Sequence, residues 1–208
     1  MRLTTNPLLE YLLPSRRARM VGWYDPDVLA RSAALMTIAN LFGRHSDTRL
    51  IEALASQPQK EFTFTAADGQ PYWFDYVSDI ADGWNSTFAI ADGIARPELT
   101  VLDENGAPVL TEGGDVLVFG GDEVYPTPSR AAYEQRLVMP YHAAMGWTEA
   151  DHPHLFAIPG NHDWYDNLAS FVRLFTEKEW FCGWKLGQRR SYFALRLPHD
   201  WWVIGVDT

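Results

Sequence analysis

The fold of this chain is decided by the stretch LFAIPGNHD at residues 155–163. Its first four residues are all apolar, which predicts a buried strand, and the Pro-Gly pair predicts where that strand ends. Asn161, His162 and Asp163 follow directly, at what would be the carboxyl end of the strand. In open α/β sheets this edge is where ligands bind. We therefore treat these three polar residues as candidates for a functional site.

Two earlier strands are predicted to end in a similar way. A β-prone segment at residues 72–78 is followed by Asp79, and the apolar run at residues 116–119 is followed by Gly121-Asp122. Because the carboxyl ends of parallel strands meet at one edge of a sheet, we expect polar side chains from three strand ends to converge. Carboxylate, amide and imidazole ligands suit Mn²⁺, Fe or Zn²⁺ better than a metal that prefers thiolates. The sequence therefore predicts a metal site at this edge.

Helical segments alternate with these strands. Capping residues and apolar spacing predict helices over residues 26–42, 47–55, 85–95, 129–145 and 166–178. A final pair of strands is predicted over residues 191–197 and 201–206. This alternation indicates the α/β class, with a partly parallel sheet and helices on its faces. Residues 1–60 are predicted to form a helical N-terminal extension.

The composition excludes several classes of protein. The 208 residues carry a formal net charge of −10 with a sequence pI of about 4.9, which argues against non-specific nucleic-acid binding. One cysteine, Cys182, excludes an intrachain disulfide framework and is expected to be a buried hydrophobe. No apolar run approaches the ~18 residues of a membrane span. The apolar stretch at residues 8–13 precedes its basic neighbours, unlike a signal peptide. We expect a soluble, cytoplasmic protein.

Together these motifs resemble those of the calcineurin-like metallophosphoesterases. Ser78-Asp79, Gly121-Asp122 and Gly160-Asn161-His162-Asp163 occur in the order typical of that family, each after a predicted strand. The last block is the most specific of the three, and the resemblance covers residues 72–208. The stretches 121–126 and 160–165 also resemble a bacterial subgroup of predicted phosphohydrolases. The resemblance implies a metallophosphoesterase-like layered sheet with flanking helices, preceded here by the helical N-terminal segment.

The resemblance also implies a role for each motif residue. Asp79 matches a ligand of the first metal ion, Asp122 the carboxylate that bridges both ions, and Asn161 a ligand of the second. His162 matches the histidine near the scissile phosphate, a proton donor or transition-state stabiliser, and Asp163 matches the acidic residue that orients it. The implied cofactors are two divalent metal ions, with Mn, Fe or Zn expected. The implied reaction is hydrolysis of a phosphate mono- or diester, in a phosphorylated small molecule or another phosphoester, by a metal-bound hydroxide.

Two features depart from the family pattern. Ala81 stands where the family has a histidine ligand of the first metal ion, and Asp82 is a candidate replacement. The alternative for Asp82 is a cap of the turn or helix that follows it. The later histidine blocks are absent, since only His199 follows His162. We therefore expect residues 70–208 to be the N-terminal part of a metallophosphoesterase domain, an incomplete β-sandwich truncated at its C-terminus.

Several other residues have a structural and a functional interpretation. His152 and His154 resemble a metal-binding pair, but they precede a strand and are expected in a surface loop at the opposite edge of the sheet. Asp207 follows the last strand and is a candidate to reach the site. The aromatic residues within 171–184 and 192–202 are expected mainly in the core, with an aromatic rim around the substrate as the alternative.

Two other functions stay open at this level. Ala81 and the missing histidines also fit a catalytically incomplete or non-catalytic module of the same fold that binds metal or a partner. An acidic carbohydrate-binding protein with Asp and Asn as calcium ligands is a third interpretation. That third interpretation does not explain why the polar motifs follow successive strands.

Overall fold

The computed structural model describes residues 17–42, 61–67, 69–145 and 153–207. The strands are β1 (Phe62–Thr63), β2 (Phe74–Val77), β3 (Glu98–Leu102), β4 (Pro108–Glu112), β5 (Val116–Phe119), β6 (His154–Ala157), β7 (Trp180–Phe181), β8 (Trp184–Leu186), β9 (Phe193–Arg196) and β10 (Trp202–Gly205). The α-helices are α1 (Pro26–Phe42), α2 (Trp84–Ile94), α3 (Arg130–Ala132), α4 (Met139–Met145) and α5 (Ala169–Phe175). A π-helical turn spans Tyr133–Val138, and 3-10 helices span Asp163–Asp166 and Pro198–Asp200.

A five-stranded sheet in the order β2-β5-β6-β8-β7 carries the three motif turns. Strands β2, β5, β6 and β8 run parallel, and β7 pairs antiparallel with β8 at the edge. A second sheet has the order β1-β9-β10, and its β9 and β10 form the predicted antiparallel pair. Parallel strands connected by helices confirm the α/β prediction.

Strand β5 supports two apolar layers at once. All four of its residues are buried, and successive side chains point to opposite faces. Leu117 and Phe119 pack into a cluster with the helices, which also contains the buried Cys182. Val116 and Val118 pack into a second cluster with the three-stranded sheet. The continuous apolar run in the sequence therefore reflects a strand covered on both faces.

The helix predicted over residues 129–145 forms, with a widened turn in its middle. The Ser129 hydroxyl accepts the Ala132 N–H at 3.0 Å and caps the start of α3. The backbone N–H of Met139 then bonds to the carbonyl of Glu134, five residues back. Pro140 has no N–H to donate to the preceding turn, so a π-helical turn just before it accommodates the break in the α-helical ladder.

Several elements differ from the sequence predictions, and the short strands β1, β7 and β8 were not predicted. The helix predicted over residues 166–178 is limited to α5, because Asn167 and Leu168 adopt left-handed backbone angles, with φ of 57° and 59°. The β3–β4 hairpin was not predicted, since most of its residues on both faces are exposed and leave no alternating apolar pattern. Its turn is stabilised by the Asp103 carboxylate, which accepts the N–H groups of Asn105 and Ala107 at 2.9 and 2.8 Å.

The N-terminal segment contacts the same end of the sheet as the motif turns. Helix α1 forms where it was predicted, with Pro26 at its first position. Before it, the Val21 N–H donates to the Asp82 carbonyl at 2.9 Å, and the Trp84 N–H donates to the Ala18 carbonyl at 2.9 Å. The helix predicted over residues 47–55 lies outside the described residues. None of the helices in the described part of the chain combines the length and hydrophobicity of a bilayer span.

Candidate active site

Three turns at the carboxyl ends of β2, β5 and β6 form the site. Asp79 and Asp122 both adopt left-handed backbone angles, with φ of 55° and 54°, and Gly121 between β5 and Asp122 has φ of 108°. Such angles are uncommon for residues other than glycine, although aspartate tolerates them better than most. The Asp79 N–H donates to the Gly121 carbonyl at 3.0 Å and ties the first turn to the second. The backbone thus turns sharply where the two carboxylates leave the sheet.

One hydroxyl group joins the first two turns through their side chains. Tyr125 donates to Asp79 Oδ1 at 2.7 Å and to Asp122 Oδ2 at 3.0 Å. Because a phenol has a single proton, the two carboxylates share it and lie within two hydrogen-bond lengths of each other. Burial raises the pKa of Tyr125, and the two carboxylates raise it further, so the phenol stays protonated. Sequence reasoning assigned no role to Tyr125, although the residue lies within the stretch 121–126 quoted above.

The third turn approaches Asp122 very closely. The His162 N–H donates to Asp122 Oδ1 at 2.9 Å. A Cβ atom placed on Gly160 would lie 2.1 Å from that same oxygen and 2.3 Å from the Asp122 nitrogen. Only glycine fits at position 160, because any side chain would displace the Asp122 carboxylate.

The imidazole of His162 is oriented by a backbone carbonyl. Its Nδ1 lies 2.8 Å from the Pro126 carbonyl oxygen. A carbonyl can only accept, so Nδ1 carries the proton and Nε2 is the ring nitrogen left to exchange one. The sequence-based expectation was that Asp163 orients this ring. The structure instead places Pro126 at that position, because the buried Asp163 carboxylate turns toward the backbone.

Asp163 fastens the second and third turns together. It is completely buried, and its Oδ2 accepts the N–H groups of Gly160 at 2.9 Å and Glu123 at 3.1 Å. Its Oδ1 accepts the hydroxyl proton of Tyr133, from the π-helical turn. Burial raises the pKa of Asp163 to about 6, although these three hydrogen bonds oppose the rise. Asp163 therefore acts on the geometry of the turns rather than on the imidazole.

The chain was also compared with known proteins. The model of the calcineurin-like phosphoesterase family matches residues 72–202, which include all three turns. The chain belongs to the calcineurin-like phosphoesterase family. Neither the search of curated proteins nor the search of solved structures finds a match. The resemblance read from the motif residues is thereby confirmed, and the α/β layers described above are consistent with a metallophosphoesterase-like fold.

In this member of the family Asp82 contacts the start of α2 instead of the other carboxylates. Its Oδ1 accepts the Ser86 hydroxyl at 2.8 Å, and its backbone carbonyl accepts Val21 and Arg136. This contact joins two side chains just before and within the first turn of α2, and α2 has no side-chain hydrogen bond to a backbone N–H at its N-cap, Gly83. A metal-ligand role for Asp82 stays a prediction. Ala81 itself is buried and has φ of 60°, so the position of the family's histidine supplies no ligand.

The remaining candidates lie at different distances from the site. Asn161, the residue before His162, has an exposed side chain. Its amide donates to the Tyr165 hydroxyl at 3.2 Å. Asp207 accepts the indole N–H of Trp164 at 3.1 Å, so it reaches the 3-10 helix that follows the third turn. His154 begins β6 and His199 lies in the 3-10 helix before β10, so neither follows a motif strand.

The oxygen donors of the three turns are of the type that hard divalent cations accept. Asp79 and Asp122 present carboxylate oxygens from neighbouring strand ends, and Asn161 lies between two residues that closely approach Asp122. Carboxylate and amide oxygens are ligands that Mg²⁺, Mn²⁺ and related ions accept. Across the described ranges no group of three or more His, Cys, Asp or Glu side chains is arranged to hold a metal ion. The contacts of the described residues bring together two carboxylates, Asp79 and Asp122, whereas the Asn161 amide bonds to Tyr165.

Glu123, the residue after Asp122, is a buried acid that sequence reasoning missed. It is fully buried, and neither carboxyl oxygen forms a hydrogen bond. Burial raises the pKa of Glu123 well above its ordinary value, and the nearby Asp163 carboxylate raises it further. The backbone N–H of Gly121 opposes this rise in part, without forming a well-aligned bond. The motifs did not indicate that Glu123 is buried, because its burial depends on the packing of the surrounding residues.

We expect Glu123→Gln to stabilise the metal-free protein at pH 7.5 and to have little effect near pH 4. Since the folded state raises the pKa of this carboxyl, its contribution favours folding at low pH and is lost as the pH rises above the unfolded value. Glutamine keeps the volume and cannot ionise. Urea unfolding in chelator at both pH values measures the difference. A destabilised Glu123→Gln variant at pH 7.5 would contradict this prediction.

Proposed function

We propose that this chain hydrolyses phosphate mono- or diesters with two divalent metal ions held at the carboxyl end of the central sheet. The observation that carries the proposal is the pair of carboxylates, Asp79 and Asp122, that converge on one hydroxyl from two strand ends. His162 lies directly against this pair, since its backbone N–H donates to Asp122. Carboxylates that hold cations and an imidazole that moves a proton are the groups that phosphoester hydrolysis requires.

Asp79, Asp122 and Asn161 are the residues that would hold the metal ions. When bound, such ions polarise the phosphoryl oxygens and make water a stronger nucleophile near neutral pH. Asp122 would be the central ligand, because its Oδ1 faces the third turn and its Oδ2 accepts the hydroxyl that also bonds to Asp79. The Tyr125 hydroxyl donates to both carboxylates and lowers their mutual repulsion when no cation is present.

His162 is the proposed proton donor to the leaving group. The carbonyl of Pro126 fixes the Nδ1–H, so a second proton is gained and lost at Nε2. Donation from Nε2 to the ester oxygen lets the leaving group depart as a neutral alcohol or phenol. Asp163 contributes as a positioning residue, because it holds the backbone of the turn that carries His162.

Several finer features stay proposals. We expect Mn, Fe or Zn as the metal, a phosphorylated small molecule or another phosphoester as the substrate, and a cytoplasmic location. A second candidate function is a module of the same fold that binds metal or a partner without catalysis. It is favoured by Ala81, a buried residue with no ligand atom where the family has a histidine.

The experiment is phosphatase activity of the Mn²⁺-loaded protein, compared with His162→Ala. Loss of a general acid typically costs about 10²- to 10⁴-fold, and less when the leaving group needs little help. We therefore expect His162→Ala to lose more activity on phenyl phosphate than on 4-nitrophenyl phosphate. His199→Ala is the matched control, because His199 is an exposed histidine outside the site. Metal bound without turnover by any divalent ion would establish the non-catalytic alternative.

A further inference from the structure

We propose that Trp23 forms a contact surface for a flat aromatic leaving group, which makes the site selective for aryl or nucleoside-like phosphoesters. This inference rests on the proposed function and names its substrate class. Trp23 lies in the turn before α1, outside the part of the chain matched by the family. The sequence motifs did not point to it.

The indole of Trp23 reaches the rings at the centre of the site. Its ring centroid is 5.1 Å from that of Tyr125 and 6.1 Å from that of His162, both edge to face at 78° and 83°. The ring of Tyr165 also contacts His162, and the centroids of these two rings are 4.9 Å apart. Trp23 remains 39% exposed, whereas Tyr125 is 8% exposed. Trp23 is therefore partly open to solvent while it contacts the imidazole ring.

The backbone around Trp23 is anchored before any substrate binds. The Val21 N–H donates to the Asp82 carbonyl at 2.9 Å, and the Asp25 N–H donates to the Gly22 carbonyl at 2.8 Å. Arg136 from the π-helical turn donates to the Arg19 carbonyl at 2.9 Å. An anchored aromatic side chain loses little conformational freedom when a ligand stacks on it. The position suits a binding surface more than a mobile cover.

The position of Trp23 also indicates which part of a substrate it would meet. His162 is the proposed donor to the leaving oxygen, so the leaving group must lie beside the imidazole. Because Trp23 contacts the imidazole ring, we place the leaving group beside both side chains and the phosphoryl group near Asp79 and Asp122. A flat aromatic group can stack on the indole, whereas a small alkyl group gains much less contact. Of the two aromatic segments that the sequence suggested as a rim, 171–184 is mostly interior, whereas 192–202 exposes Tyr192, Trp201 and Trp202.

The test compares phenyl phosphate and butyl phosphate on the Mn²⁺-loaded chain and its Trp23→Ala and Trp23→Phe variants. Trp23→Ala should raise KM for phenyl phosphate roughly three- to tenfold more than it raises KM for butyl phosphate. Trp23→Phe should restore most of the loss, because a phenyl ring also stacks. Trp201→Ala is the matched control, since Trp201 is 71% exposed before β10. Equal losses on both substrates, or no loss on either, would overturn the proposal.

A binding measurement separates this inference from the proposed function. If the wild-type chain hydrolyses neither ester, the proposed function fails, and calorimetry with phenylphosphonate and methylphosphonate still tests Trp23. Weaker binding of phenylphosphonate alone in Trp23→Ala supports the aromatic surface. Equal weakening of both phosphonates, or no binding of phenylphosphonate to the wild-type chain, overturns it.

Discussion

Gly160→Ala is expected to abolish most of the activity and to destabilise the fold by about 3 kcal/mol. The added methyl would lie 2.1 Å from Asp122 Oδ1 and 2.3 Å from the Asp122 nitrogen, and a backbone nitrogen cannot move aside as a side chain can. The second and third turns would have to separate, which also strains the bonds that Asp163 makes to both of them. A misplacement of about 1 Å at catalytic groups costs about 100-fold in rate.

Gly93→Ala is the control for this substitution. Gly93 lies in α2, and a Cβ there meets no atom within 4 Å. In a helix this change stabilises by about 0.5–1 kcal/mol. Urea unfolding and aryl phosphatase activity with Mn²⁺ measure both variants. If Gly160→Ala retained wild-type activity, the close approach of the turns would have no functional meaning.

Asp122→Asn is expected to keep the fold and to lose metal binding and activity, with a fall in rate of about 1,000-fold. Asparagine has nearly the same size and tolerates the left-handed backbone angle of position 122. Its Oδ1 can still accept the His162 N–H. What is lost is the negative charge that two neighbouring cations need between them. The free energy of unfolding without metal should stay within about 1 kcal/mol.

Asp115→Asn provides the matched comparison at the other end of the same strand. Asp115 is exposed and precedes β5, whereas Asp122 follows it. Elemental analysis should find two equivalents of metal in the wild-type chain and in Asp115→Asn, and fewer in Asp122→Asn. Equal metal content in all three proteins would place the cations elsewhere.

The main elements of the fold could be predicted because each depends on a few neighbouring residues. The apolar runs at 116–119 and 155–157 lie within β5 and β6, and Asp25-Pro26 marks the start of α1. The β3–β4 hairpin escaped prediction, since strand pairing with both faces mostly exposed leaves no apolar pattern. Helix α5 is shorter than predicted because Asn167 and Leu168 adopt left-handed backbone angles, and no pattern in the sequence predicted these angles.

The site could be predicted only as a set of residue types at strand ends. Asp79, Asp122, Asn161, His162 and Asp163 all belong to the three turns, as the motif order indicated. Their partners could not be derived in this way, because Tyr125, Pro126 and Tyr133 come from loops and a helix between the motifs. The partner of Asp82 could not be predicted from the sequence either, since a carboxylate next to a turn can face a cation or the start of a helix.

By itself, the sequence determined the class of fold, the family and the residues that follow the three strands, because periodicity and short motifs are local properties. Tertiary structure alone decided that Pro126 orients His162, that Asp163 joins two turns and that Trp23 reaches the imidazole. The contacts of Pro126 and Trp23 with His162, and of Asp163 with Glu123, join residues far apart in the chain. Their formation depends on how the sheet, the π-helical turn and the N-terminal segment pack, and no local pattern encodes that packing.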